Sequence, residues 1–216
     1  MLVKVTTRRM LACGAIAGGL YIATDLTAAV AWDGYSITDQ TVSETFAVGA
    51  PTRPFVLARS LTYSILMLFF GWGVLRVASE QRSLRTTGGL IVAIGAIDLL
   101  GPFAPMHQRA VLEAGGGSLT DIMHIVLASF DVLLILLILG FGAHTAGKKF
   151  RLYSFITLVL VLGFGALTGL DGPRMSSNLP TPMMGIWERI SIYGFMIWLI
   201  VFAVTLLRSR HDGRST

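Results

Sequence analysis

Ionisable side chains occur inside several of the most apolar stretches of this 216-residue chain. The clearest case is residues 118–146, whose second half is almost entirely apolar and whose first half carries Asp121, His124 and Asp131. Spacings of three and seven residues place these side chains on one face of a helix. Ionisable groups in membrane-spanning helices are costly and usually face a bundle interior or a wet cavity. The pattern therefore predicts a functional site on this helix.

Other ionisable residues are expected at the same membrane depth on the remaining apolar stretches: Asp25, Arg59, Asp98, Asp171, Glu188 and Arg189. An isolated charge at the bilayer centre costs at least about 2.5–3.5 kcal/mol. Mutual pairing inside a helix bundle is therefore the economical arrangement. The two arginines are predicted to pair with acids of this set, namely Asp25, Asp98 or Glu188.

A carboxyl group in an apolar wall keeps its proton more readily than one in water, because desolvation disfavours the charged form. Such a group can act as a general acid or base on an apolar substrate, or carry a proton in a transporter. The predicted catalytic residues are Asp131, Glu188, Asp98 and His124, the last as a proton shuttle or ligand. Asp25, Arg59 and Arg189 are predicted to contact a substrate.

Several of these residues also have a structural interpretation. Ser118 and Asp121 fit a capping box at a helix start, and His124 could simply form a hydrogen bond to a neighbouring helix. Glu188 suits the positive end of a helix dipole, and Asp171 precedes Gly-Pro in a turn. Asp131 has no such explanation, because helix caps do not occur in the middle of a helix.

A metal site is a second possibility for the same residues. Asp121 and His124, three residues apart, could share a zinc or manganese ion with Asp98, Glu188 or His107. The sequence has no H-E-x-x-H motif and no paired histidines. No cofactor is evident, and a divalent metal remains an open alternative.

The composition is that of an integral membrane protein, with 54% hydrophobic and only 13% charged residues. Six stretches reach the roughly 20 apolar residues that a span requires: about 10–32, 54–79, 85–104, 119–145, 150–170 and 184–207. We therefore predict an all-α fold, a single domain over residues 1–216 with six transmembrane helices. The net charge of +5 contains no long run of like charges, so it indicates membrane topology and no nucleic-acid partner.

Lys and Arg are unevenly distributed between the two ends of the predicted bundle. The N-terminus, the loops after the second and fourth spans and the C-terminus hold 12 of the 17 basic residues. The positive-inside rule then predicts that both termini are cytoplasmic. The long polar connection 33–54 would lie outside, with a short interfacial helix over Ser36–Val48, and could cover the site as a lid.

Three segments together resemble a known family. The run Gly185-Ile-Trp-Glu188-Arg189, followed by an apolar span containing Trp198, is similar to a motif of bacterial domain-of-unknown-function family 998. Residues 41–51 resemble that family's first outer loop, and 101–105 followed by His124 resembles its third-helix exit and fourth-helix histidine. The resemblance implies a multi-pass protein of the bacterial inner membrane. It marks Glu44, His124, Glu188 and Arg189 as site positions, with Glu44 added to the predicted substrate contacts, and it implies no particular activity.

Two classes of function follow from these observations. In the first, the protein is an enzyme of isomerase, cyclase or hydrolase type that performs acid/base chemistry on a lipid-like or terpenoid molecule. In the second, it is a proton-coupled transporter or a non-catalytic accessory protein. The absence of an internal repeat favours the first class, since transporters often contain one. The expected partners are membrane lipid and an apolar small molecule, and the sequence leaves homo-oligomerisation open.

Overall fold

The computed structural model describes residues 2–212, with side chains for residues 5–209. Within these residues the secondary structure is helical apart from one isolated β-bridge between Val48 and His107. The helices are α1 (Leu2–Ala31), α2 (Arg53–Val77), α3 (Arg82–Asp98), α4 (Arg109–Glu113), α5 (Leu119–Gly142), α6 (Lys148–Leu170), α7 (Gly172–Ser176) and α8 (Met184–Asp212), with 3₁₀ helices at Val42–Phe46 and Gly101–Phe103.

Six helices in the described part of the chain are long and apolar enough to cross a membrane, all except the short α4 and α7. Their positions confirm the six predicted spans, with ends that differ by a few residues. The chain is therefore a multi-pass membrane protein. Lys4, Arg210 and Arg214, on which the predicted orientation partly depends, lie outside the residues whose side chains are described.

The long helices form a closed ring in chain order. Each one packs against the next, through α1, α2, α3, α5, α6 and α8, and α8 packs against α1. Since the number of crossings is even, the start of α1 and the end of α8 lie at one end of the bundle, which we call the terminal end. The three long connections, residues 32–52, 99–118 and 171–183, lie at the opposite end and are called the cap.

Small residues allow the closest helix contacts in this ring. At Gly71 on α2, a Cβ atom would lie 2.7 Å from the backbone nitrogen of Val92 and 2.9 Å from the carbonyl oxygen of Gly88, both on α3. Apolar burial drives helix association weakly in lipid, so close backbone packing supplies much of the attraction. These glycines therefore hold α2 and α3 together as a pair.

Aromatic side chains fill the terminal half of the ring. Trp198 and Phe202 are fully buried, with ring centroids 4.8 Å apart, and Phe202 also contacts Phe70 and Phe150 from α2 and α6. The indole N–H of Trp198 donates a 2.8 Å hydrogen bond to the Ser154 hydroxyl. Since a buried indole N–H requires an acceptor, this bond satisfies the polar group of Trp198. The terminal half is thus closed by packed side chains.

In the cap half of the ring, α5 and α6 bury few side chains. The buried residues of α5 are Ile138, Leu139 and Gly142, all near its terminal end, and those of α6 end at Val161. Towards the cap, even Asp131 and His124, which contact other elements, keep part of their surface exposed. The side chains of α5 and α6 are therefore more exposed in the cap half of the ring than in the terminal half.

The cap is a compact structure held by backbone and side-chain hydrogen bonds. The predicted helix over Ser36–Val48 is wrong in extent: only Val42–Phe46 is helical, as a 3₁₀ turn. Ser36, Asp39 and Gln40 bond locally to one another through their side chains, and such bonds compete with helix formation. Beyond the turn, the amide of Val48 donates to the Met106 carbonyl at 2.8 Å. This bond joins the first two connections.

Candidate functional site

Asp25 on α1 and Arg189 on α8 form a buried ion pair. Nε and Nη2 of Arg189 lie 2.9 and 3.2 Å from the two carboxylate oxygens, and Asp25 also accepts a hydrogen bond from the Tyr193 hydroxyl. The two residues are only 1% and 5% exposed. The predicted pairing of Arg189 with an acid is thereby confirmed, and Asp25 is the acid.

The remaining donors of Arg189 are also occupied. Nη1 donates to the carbonyls of Ile37, Gln40 and Gly185, at 2.9 to 3.1 Å, and Nη2 donates to the Tyr35 hydroxyl at 2.6 Å. Arg189 thus joins α1, α8 and the first cap connection. A substrate could bind to it only by replacing one of these bonds, so the geometry assigns Arg189 and Asp25 to the framework.

Glu44, on the 3₁₀ turn, pairs with Arg109 at the start of α4. Nε and Nη2 of Arg109 lie 2.7 and 2.8 Å from the two oxygens of Glu44, which also accepts from the Thr41 amide at 2.7 Å. Arg109 further donates to the Thr181 hydroxyl and to the Asp39 carbonyl. This network ties the three cap connections together. Arg109 was not predicted as a site residue, since its only signal in the sequence was its place among the few basic residues of the cap.

Asp121 has the capping role that its spacing indicated. It accepts from the Ser118 amide at 2.8 Å, which completes a capping box at the start of α5. It also accepts from the His107 amide at 2.7 Å and lies 2.8 Å from the His107 ring nitrogen Nδ1. Asp121 therefore pairs with His107, and its side chain does not share a partner with His124.

His124 contacts the cap. Its Nδ1 lies 3.2 Å from the carbonyl oxygen of Ala104, and its ring packs on Phe46 with centroids 5.7 Å apart. Among residues 5–209, no group of three or more His, Cys, Asp or Glu side chains is arranged to hold a metal ion. The proposed pairing of Asp121 with His124 as metal ligands thus finds no third ligand within that range.

The remaining predicted site residues of the ring meet two tyrosines in one place, which we call the inner polar cluster: Tyr21, Arg59, Tyr63, Asp98, Asp131 and Glu188. Five of the six long helices contribute to it, namely α1, α2, α3, α5 and α8. The guanidinium carbon of Arg59 lies 4.1 Å from the centre of the Tyr21 ring, and the Tyr21 and Tyr63 rings meet edge to face at 5.5 Å. The two tyrosines were not predicted. Each lies four residues from a predicted residue, Asp25 or Arg59, on the same helix face, and this spacing could have identified them.

The central contact of the cluster is between Asp98 on α3 and Asp131 on α5. Their carboxyl groups lie within hydrogen-bonding reach of each other. Oδ1 of Asp131 is buried and accepts no hydrogen bond from any amide or hydroxyl of the described residues. A hydrogen bond between two carboxyl groups requires a proton on one of them. The arrangement is thus suited to holding and transferring a proton.

Arg59 is the other incompletely satisfied residue. It is 7% exposed, and its Nε has no hydrogen-bond partner in the part of the chain with described side chains. The ion pairs found there involve Arg109, Arg174, Arg189 and His107. The predicted pairing of Arg59 with an acid was therefore wrong. The guanidinium interacts with Asp98 electrostatically, without direct contact.

Glu188 connects the cluster to the cap. Its carboxylate accepts a hydrogen bond from the amide of Val42, at the start of the 3₁₀ turn. It also interacts electrostatically with Tyr21, which carries Arg59 on its ring. Glu188 is partly exposed, as are Asp98, Asp131 and Tyr21. Because these side chains interact with one another from different helices, we infer that their accessible surface borders a space inside the ring, which we call the recess.

Comparison with known proteins defines the family. No curated protein and no solved structure is significantly similar to the chain. The family model described as "Protein of unknown function (DUF998)" matches residues 15–205. The matched region runs from α1 to α8 and includes the whole inner polar cluster. Since it covers most of the 216 residues, the chain belongs to the DUF998 family of membrane proteins.

Proposed function

We propose that this protein is an intramembrane acid/base enzyme that acts on an apolar or amphiphilic molecule in the cap half of the ring. The observation that carries the proposal is the contact between Asp98 and Asp131. The other predicted acids, Asp25, Glu44 and Asp121, are each occupied by an arginine or a histidine. The aspartate pair therefore retains the capacity for proton transfer.

The two carboxyl groups have complementary roles in this proposal. A pair that shares one proton can donate it to one atom of a substrate while the second carboxylate removes a proton from another. Such an exchange leaves the pair with one proton and suits an isomerisation or cyclisation. Glu188 is a third candidate for proton transfer, because it is partly exposed to the same recess. His124 serves to position the cap beside it.

Packing supports an enzyme over a transporter. A transported solute or proton would have to pass the terminal half, where Trp198, Phe202 and Phe195 are fully buried. No acid or arginine of the described residues is buried at that level. The recess instead adjoins the more exposed cap half of α5 and α6. We propose that an apolar substrate enters there from the membrane.

The distribution of charge supports the predicted orientation. Arg8, Arg9, Arg76, Lys148 and Lys149 lie at or near the terminal end, next to the ends of α1, α2 and α6. By the positive-inside rule this end faces the cytoplasm. The proposed location is the bacterial inner membrane, with the recess in its outer half.

Infrared spectroscopy of the purified protein tests the shared proton. We expect a carbonyl stretching band of a protonated carboxyl group at neutral pH, shifted by ¹³C-labelling of aspartate. Either Asp98→Asn or Asp131→Asn should abolish it, whereas Asp33→Asn, at an exposed cap position, should not. A band that is absent from the native protein, or that persists in both variants, would contradict the proposal.

Analysis of co-purified lipids tests the chemistry. Lipids extracted from membranes that contain the native protein are compared by mass spectrometry with those from the Asp131→Asn variant. We expect one species to accumulate in the variant and a species of related composition to decline, as for substrate and product. Proteoliposomes loaded with a pH-sensitive dye should show no proton flux, and a flux lost in Asp131→Asn would instead support transport.

A further inference from the structure

Arg59 differs from Arg189 and Arg109, the two arginines of the described residues that bind a carboxylate through two nitrogen atoms. The carboxylate is that of Asp25 for Arg189 and that of Glu44 for Arg109. Arg59 is about as deeply buried as Arg189, yet its guanidinium lies over the ring of Tyr21, and no carboxylate of the described side chains lies within ion-pair distance of it. A guanidinium group stays charged in proteins, and its planar array of N–H groups matches a carboxylate or phosphate.

We infer that Arg59 is the anchor for the anionic head group of an amphiphilic ligand, a carboxylate or a phosphate carried on an apolar chain. This inference rests on the proposed function, because it names the class of substrate that the recess would bind. The buried and unpartnered Nε of Arg59 supplies the first donor. The anionic group of the ligand would pair with Arg59 as the carboxylate of Asp25 pairs with Arg189.

The surroundings of Arg59 supply the other requirements of such a site. In the proposed function the aspartate pair holds one proton, and it does so near Arg59, since Asp98 and Arg59 interact electrostatically. This proton also reduces the negative charge that an incoming anion meets. Tyr21 fixes the guanidinium by stacking, which lowers the entropy lost when the anion binds.

The position of Arg59 favours a ligand that enters from the membrane. On the cap side, the recess is covered by the 3₁₀ turn, whose Val42 amide binds Glu188 and whose Phe46 ring packs on His124. Towards α5, in contrast, Ile125 and Phe130 are more than half exposed. In a membrane, these apolar surfaces face hydrocarbon and can accommodate the chain of an amphiphile beside the recess.

Thermal unfolding of the full-length protein in dodecyl maltoside provides the test. The added probes are dodecyl phosphate, dodecanoate, dodecyltrimethylammonium and inorganic phosphate, each over a range of concentrations. We expect a saturable rise of the unfolding temperature with dodecyl phosphate or dodecanoate, and none with the cationic amphiphile. Equal effects of the cationic and anionic chains would overturn the inference. An equal effect of inorganic phosphate would overturn the inference that the ligand is an amphiphile, and it would indicate a site for a free anion.

Variants of two arginines on α2 show whether Arg59 is responsible. Arg59→Gln should weaken the apparent affinity for the anionic probe about ten- to one-hundred-fold, the usual loss for hydrogen bonds to a charged group. Arg59→Lys, which keeps the charge but loses the planar donors, should retain part of the affinity. Arg53→Gln removes the same charge near the start of α2, where Arg53 donates to the Phe46 carbonyl, and should leave the affinity unchanged. Unaltered affinity in Arg59→Gln would overturn the inference.

The outcome can be separated from that of the proposed function. The infrared band depends on Asp98 and Asp131 and is measured without any added ligand. If the band is present but anionic probes do not bind selectively, the inference about Arg59 fails and the acid/base proposal stands. If the probes bind through Arg59 but the band is absent, the protein is a binder of anionic amphiphiles without the proposed chemistry.

Discussion

Arg189 on α8 holds both carboxylate oxygens of Asp25 on α1, 164 residues earlier in the chain, at 2.9 and 3.2 Å. The pair joins the first and last membrane helices, where the ring closes. It also binds the first cap connection through the carbonyls of Ile37 and Gln40. One side chain thus links the contact between α1 and α8 to the position of the cap.

Breaking this pair should destabilise the protein strongly. Removal of one partner of a buried ion pair typically costs about 3–5 kcal/mol, because the other charge remains buried. We expect a loss of this size in the free energy of unfolding for Arg189→Gln, measured by denaturation in detergent. The control is Arg174→Gln, whose side chain is 51% exposed and lies 4.0 Å from Asp171, with an expected loss below about 1 kcal/mol. Similar losses in the two variants would show that the pair is not a framework element.

Arg59→Met should behave differently from Arg189→Gln. The substitution removes a cation–π contact with Tyr21, worth about 0.5–2 kcal/mol, but it also removes a buried charge without a direct partner. The free energy of unfolding in the absence of ligand should therefore change by less than about 1 kcal/mol. The same denaturation experiment measures it. A loss as large as that of Arg189→Gln would mean that Arg59 is held by protein contacts alone.

Two glycines near the end of α5 provide a matched test of the terminal core. At Gly142 a Cβ atom would lie 2.6 Å from Cζ2 of Trp198, whereas at Gly140 its nearest neighbour would be Cδ1 of Leu158 at 4.0 Å. Gly142→Ala should lower the free energy of unfolding by about 1–3 kcal/mol through overpacking. Gly140→Ala should leave it unchanged or raise it by up to about 1 kcal/mol, since alanine favours helix. If both variants change the free energy of unfolding alike, Trp198 does not pack against α5 as described.

Tyr35, in the first cap connection, should make stability depend on pH in the alkaline range. Its hydroxyl donates to the Thr41 carbonyl at 2.7 Å and accepts from Arg189. Burial raises the pKa of Tyr35 well above its ordinary value, although the charge of Arg189 opposes the shift. As the pH rises, Tyr35 therefore loses its hydroxyl proton in the unfolded chain before it does so in the folded protein. The contribution of this proton to the free energy of unfolding is complete below about pH 10 and declines as the pH rises further.

Comparison with Tyr35→Phe isolates this effect. The free energy of unfolding is measured at about pH 9 and about pH 11 for both proteins. Its decrease between the two pH values should be steeper for the native protein, by at most about 1.4 kcal/mol per pH unit. At about pH 9 the variant should be the less stable of the two, because it lacks the hydrogen bonds to Thr41 and Arg189. Identical falls would show that the Tyr35 proton does not contribute.

The sequence by itself determined the spans, the helix start at Ser118 and the kind of pairing to expect. A membrane helix must satisfy its backbone internally and cover about 30 Å with apolar side chains, so composition along the chain identifies it. The capping box at Ser118 and Asp121 is local, so four consecutive residues were enough to predict it. That Arg189 pairs with an acid followed from the cost of a lone charge in lipid.

Only the tertiary structure decided which acid meets which base. Hydropathy does not specify the rotation of each helix or the order of helices around the ring, which depend on packing such as that of Gly71 on α3. With this packing, Asp25 pairs with Arg189, Glu44 with Arg109 and Asp121 with His107. The same packing places Asp98 beside Asp131 and the guanidinium of Arg59 over the ring of Tyr21. The candidate site is the part of the charged layer that packing left incompletely paired.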